Sequence, residues 1–131
     1  MIPGFFRAWE NARNAERIKG KTLVFIKKKG SRTMNASVAI QVLPNVTDDE
    51  EVIRIVDEVI AYIKSFGLST YVGPFETTIE GDYDQLMEIV AGCQKVAIAA
   101  GGCDQISTYV KIVYKPEGEV LTIEKKVSKH H

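Results

Sequence analysis

The stretch STYVGPFETTIEG, residues 69–81, decides the fold. Ser69 to Gly73 and Thr77 to Gly81 are two short runs rich in Thr, Tyr, Val and Ile, residue types that suit a pleated surface, and Pro74 with its neighbours separates them. A β-hairpin is expected here. The flanks on both sides have a helical period instead. Upstream, Val52, Ile55, Val56, Val59, Ile63 and Phe66 recur at spacings of three and four, while Arg54, Asp57, Glu58 and Lys64 fall mostly elsewhere on the wheel. Thr47 followed by Glu50 is a capping-box pattern, Asp48, Asp49 and Glu51 place negative charge where the helix dipole favours it, and Gly67 supplies a left-handed stop. Downstream, Asp82 with Gln85 opens a second helix whose stripe is Leu86, Val90, Cys93, Ala97 and Ala100, and Gly101 and Gly102 end it.

Further out lie two more strands. From Ser37 to Leu43, Val38, Ile40 and Val42 alternate with Ser37, Ala39 and Gln41, and Pro44 and Asn45 close the run. Gln105 to Tyr114 alternates in the same way. Strand, helix, hairpin, helix, strand is the order of an α+β ferredoxin-like βαββαβ sandwich, in which two helices cover one face of a four-stranded antiparallel sheet. The other face is then open. By parity Gln41, Tyr71, Thr78, Glu80, Ser107, Tyr109 and Lys111 belong to that open face, and Thr77 points the opposite way from Thr78. Large side chains such as Tyr71 and Tyr109 on an open face imply a partner subunit, a ligand or both. A short C-terminal helix, Thr122 to Lys129, is expected to pack across an edge or a subunit boundary.

Charge divides the chain unevenly. Residues 1–33 carry nine Lys/Arg and two Asp/Glu, leaving eight and fifteen for the remainder, so residues 34–131 form an acidic domain behind a basic extension. Three readings of that extension stay open: an amphipathic arm built on Phe5, Phe6 and Trp9, a flexible appendage, or translated sequence upstream of a start at Met34. The second or third is preferred, since the first strand follows Met34 directly and needs nothing before it. An acidic domain with Arg54 as its single arginine is a poor match for nucleic acid. No run approaches the roughly 20 apolar residues of a membrane span, and no cleavable leader is recognisable, so a cytoplasmic location is expected. Cys93 and Cys103 are too few and too far apart for a zinc framework and are read as reduced thiols. The terminal His130 and His131 are read as solvent-facing, with no metal role.

The run Val72-Gly73-Pro74-Phe75-Glu76-Thr77-Thr78-Ile79-Glu80-Gly81-Asp82 resembles the signature of the thiamine-binding protein family, the YkoF-like group. Val38 through Pro44 and Thr122 through Lys129 add to the resemblance, which spans about residues 35 to 129. It implies a ferredoxin-like repeat that assembles into dimers and tetramers, binds thiamine or its hydroxymethylpyrimidine moiety, and has no catalytic role or cofactor. Thiamine offers an aminopyrimidine edge and a permanently cationic thiazolium, so a site needs an aromatic wall, a carboxylate or amide, and little competing positive charge. Gln41, Tyr71, Thr77, Thr78, Glu80 and Tyr109 are the candidate contacts, with Glu80 foremost.

Other classes fit less well. An acylphosphatase-like hydrolase shares this element order, yet the segment after Leu43 is acidic and lacks the arginine that would hold a phosphate. No internal histidine is available as a base for Ser or Cys. The competing reading is an oligomeric regulatory or structural module that senses another small metabolite.

Overall fold

The computed structural model describes residues 34–131. The reading of residues 1–33 as a dispensable basic extension lies outside the described residues. In chain order the elements are β1 (Ala36–Pro44), α1 (Asp49–Lys64), β2 (Ser69–Val72), β3 (Thr77–Gly81), α2 (Tyr83–Ala99), β4 (Ile106–Tyr114) and a short α3 (Ile123–Val127) that runs into a 3-10 turn at Ser128–His130. The sheet order is β2-β3-β1-β4, with every neighbouring pair antiparallel. This is the expected ferredoxin-like arrangement. No described helix is long and apolar enough to cross a membrane.

The local signals act nearly where the sequence places them. Asp48, rather than Thr47, caps α1, its carboxylate accepting the Glu50 N–H at 3.3 Å. Asp82 caps α2 through the Gln85 N–H at 3.2 Å. Gly67, Gly101 and Gly102 all take positive φ, as their stop roles require. Arg54 closes the far end of α2 from its place on α1: its guanidinium donates to the carbonyls of Ala100 and Gly101 at 2.9 and 2.8 Å while also pairing with Glu51 at 2.7 Å. Carbonyls left over at a helix C-terminus thus find a cationic donor.

Between the helices and the sheet lies the core, built on Val38, Ile40 and Ile79 from the strands and Ile55, Val59, Ile63, Leu86, Ile89, Cys93 and Val96 from the helices. Full burial of each aliphatic side chain contributes roughly 1.5–3 kcal/mol. Gly92 sets the spacing of the two helices. A Cβ there would lie 2.6 Å from Cζ of Tyr62, so the fully buried tyrosine ring fits only because α2 has no side chain at that point. Met34 and Asn35 belong to the domain: the Met34 carbonyl accepts from Val120, and the Asn35 side chain accepts from Tyr83.

Candidate functional site

The register fixes which residues share the open face. Ala39 stands opposite Thr78 and Lys111, Gln41 opposite Tyr109, Ser37 opposite Glu80 and Val113, and Tyr71 opposite Thr78. Parity therefore placed Gln41, Tyr71, Thr78, Glu80 and Tyr109 correctly, and Thr77, opposite Ile40, is buried on the helix side.

At one end of that face the chain's own tail covers the sheet. Glu80 is only 3% exposed, and its Oε2 accepts the N–H of Ile123 at 2.8 Å. The carboxylate holds the start of α3, whose free N–H groups favour an acceptor. Ile123 and Val120 are buried by the same docking. The tail's last residue touches the face again, with Tyr71 Oη and His131 Nε2 3.1 Å apart. Where the sequence led to an edge or a subunit boundary, the C-terminal helix docks onto one end of the open face of its own sheet, and the carboxylate picked as the foremost ligand contact is buried at the start of that helix. Sequence parity shows the side on which Glu80 lies; it cannot show that a segment forty-three residues later will cover it.

At the other end, β1 outruns β3. Their ladder stops at Ile40 and Thr77, although β1 continues to Pro44 against β4. On the β3 side, backbone groups of Gln41 to Leu43 have no ladder partner in β3. A cavity of about 360 Å³ occupies this gap, walled by Gln41 to Leu43 on β1, by the α1 face bearing Val52, Val56 and Asp57, and by the hairpin loop Gly73 to Thr77. Its volume lies in the range of small-molecule sites.

The hairpin loop is shaped by its own sequence. The Gly73 N–H donates to the Glu76 carbonyl at 2.9 Å, leaving Pro74 and Phe75 at the tip. A Cβ on Gly73 would come within 3.1 Å of that carbonyl, which accounts for the glycine. Phe75 is 78% exposed at the cavity wall, a large aromatic with little of its own protein to cover it. Glu76 lines the cavity as well, and its carboxylate meets Lys111 Nζ at 3.1 Å. Ala39, the small neighbour of Lys111 in the register, separates the lysine from Thr78 and leaves room for that reach across β1.

Of the six side chains chosen from the sequence, the structure brings Gln41 and Thr77 to the cavity; Tyr71, Thr78, Glu80 and Tyr109 lie on the open face and do not line it. Missed were Asp57, on the polar side of the α1 wheel, and Phe75 and Glu76, which stood inside the quoted signature. The signal for those two was their place in the loop between strands, where positioned side chains commonly serve binding. The described residues contain no cluster of His, Cys, Asp or Glu that could hold a metal ion.

Comparison with known proteins agrees with this architecture. The sequence profile of the thiamine-binding protein family matches residues 38–131. A UPF0045 protein of Clostridium perfringens is 43% identical over 94 residues, covering 72% of this chain and 95% of that protein. Among solved structures, a Streptococcus pneumoniae protein is 39% identical with a TM-score of 0.61, covering 72% of this chain and 99% of its own. A Thermotoga maritima protein whose name proposes a part in thiamine biosynthesis or salvage is 32% identical with a TM-score of 0.64, covering 74% of this chain and 99% of its own. The signature hairpin, the strand order and these matches agree, and the chain belongs to the thiamine-binding protein family.

Proposed function

We propose that the protein binds thiamine, or its hydroxymethylpyrimidine moiety, in the cavity between β1, α1 and the β2–β3 loop, as a non-catalytic, self-associating cytoplasmic protein. The observation that carries this reading is the place where β1 outruns β3 beside the signature loop. A strand edge offers alternating N–H donors and C=O acceptors, and the aminopyrimidine presents a matching donor and acceptor edge. Gln41, whose side chain the register turns toward the open face, borders the gap from β1. Val52, Val56 and Leu43 form apolar walls for the rings, and Phe75 provides an aromatic face to stack on them. Asp57 and Glu76 offer negative charge to the thiazolium cation.

Self-association belongs to the same reading. Among the described residues the tail leaves part of the open face uncovered, where Tyr109 is 64% exposed and Leu43 and Val113 are exposed as well, and β4 has a pairing partner on one edge only. A dimer of dimers would cover both, and light scattering that gives a monomer at micromolar concentration would contradict it.

Calorimetric titration with thiamine, hydroxymethylpyrimidine and a panel of amino acids tests the binding claim. Saturable heat with the first two, lost on filling the gap by Thr77→Trp or weakened by Gln41→Ala, is expected. Binding of an amino acid with no response to either vitamin compound would favour the sensor of another metabolite.

A further inference from the structure

We propose, on the footing of that reading, that the cavity takes the unphosphorylated cation and rejects its phosphate esters. Four observations converge. The only ionisable side chains lining the cavity among the described residues are Asp57 and Glu76, both carboxylates. The N-terminus of α1, where a phosphate would otherwise find free N–H groups, is already answered by the Asp48 side chain and surrounded by Asp49, Glu50 and Glu51. Arg54, the single arginine of the described residues, spends its guanidinium on Glu51 and on the carbonyls of Ala100 and Gly101. Finally, Lys111 meets the cavity wall at Glu76, with which it forms an ion pair.

The last point gives Lys111 a definite role. It competes with a cationic ligand for Glu76, so it lowers affinity for thiamine instead of recruiting phosphate. Carboxylates on the cavity wall repel an ester and attract a thiazolium, and a bound ligand that displaces water from the cavity strengthens both effects relative to bulk water.

The test is calorimetry on the full chain with thiamine, thiamine monophosphate, thiamine diphosphate and free hydroxymethylpyrimidine, at low and high salt. The esters are expected to bind more weakly than thiamine by roughly tenfold or more. That gap should narrow in high salt and in the double variant Asp57→Asn/Glu76→Gln. Lys111→Met should strengthen thiamine binding severalfold. Diphosphate binding as tight as thiamine, or weakened by Lys111→Met, would overturn the selectivity and leave the cavity reading standing. If neither thiamine nor hydroxymethylpyrimidine binds, the cavity reading itself fails and the selectivity falls with it.

Discussion

Glu76 and Glu80 stand four residues apart in one strand and its approach, face the same side of the sheet, and do different work. Glu80 is buried beneath the tail and bonded to a backbone N–H, whereas Glu76 lies at the wall of a cavity and pairs with the surface Lys111. The difference comes from what each end of the sheet meets. At the Glu80 end the strands are flush and the C-terminal segment closes over them; at the Glu76 end β1 outruns β3 and nothing in the described chain fills the gap. On the proposed reading, one carboxylate of the signature serves stability and the other recognition.

Both ends rest on the same helix layer, so the largest effect should come from breaking it. Gly92→Ala forces a methyl into the Tyr62 ring and is expected to destabilise the fold by about 3 kcal/mol, the upper end of overpacking penalties. Chemical denaturation should show a lower midpoint with thiamine affinity reduced only through loss of folded protein. Next comes the sealed end. Glu80→Ala leaves the Ile123 N–H without its acceptor and should cost roughly 1–3 kcal/mol. Faster hydrogen exchange at Ile123 should accompany that loss, while thiamine affinity stays intact. Slow exchange there would show that α3 docks without the carboxylate.

At the cavity end the effects should fall on binding. Phe75→Ala removes an exposed aromatic that the fold does not use, so affinity should drop by about 1 kcal/mol with Tm unchanged. A drop in Tm instead would make Phe75 a packing residue. The smallest effect belongs to the shared core, where burial pushes the Cys93 thiol up to about 12. The folded state holds that proton more tightly than the unfolded chain does. Its contribution is therefore fully present below the ordinary thiol range and is lost as pH rises toward the folded value. Alkaline melting curves of Cys93→Ala should accordingly fall less steeply than those of the parent, and native Cys93 should resist alkylation.

The sequence made most of the fold legible because local signals and the packing they serve agree here: the α1 stripe, the Asp82 cap and the glycine stops lie where periodicity puts them, while α2 buries Ile89 and Val96 beside the expected Leu86, Cys93 and Ala97. The cap of α1 moved by one residue, since Thr47 and Asp48 are both competent and only backbone geometry chooses between them. The site was less legible for a different reason. Parity assigns a face, but the cavity arises where one strand is longer than its neighbour, a property of register between β1 and β3 that neither strand carries alone. The burial of Glu80 was hidden in the same way, because its cover comes from Ile123, far along the chain.

The most direct test sets Glu76→Gln beside Glu80→Gln, measuring for each the thiamine dissociation constant by calorimetry and the melting temperature. Glu76→Gln is expected to weaken binding by about 1 kcal/mol, the scale of a partly exposed charge pair, with Tm unchanged. Glu80→Gln should lower Tm and leave the dissociation constant where it was. The reverse pattern, binding lost with Glu80→Gln and preserved with Glu76→Gln, would contradict the assignment and move the ligand to the face beneath the tail.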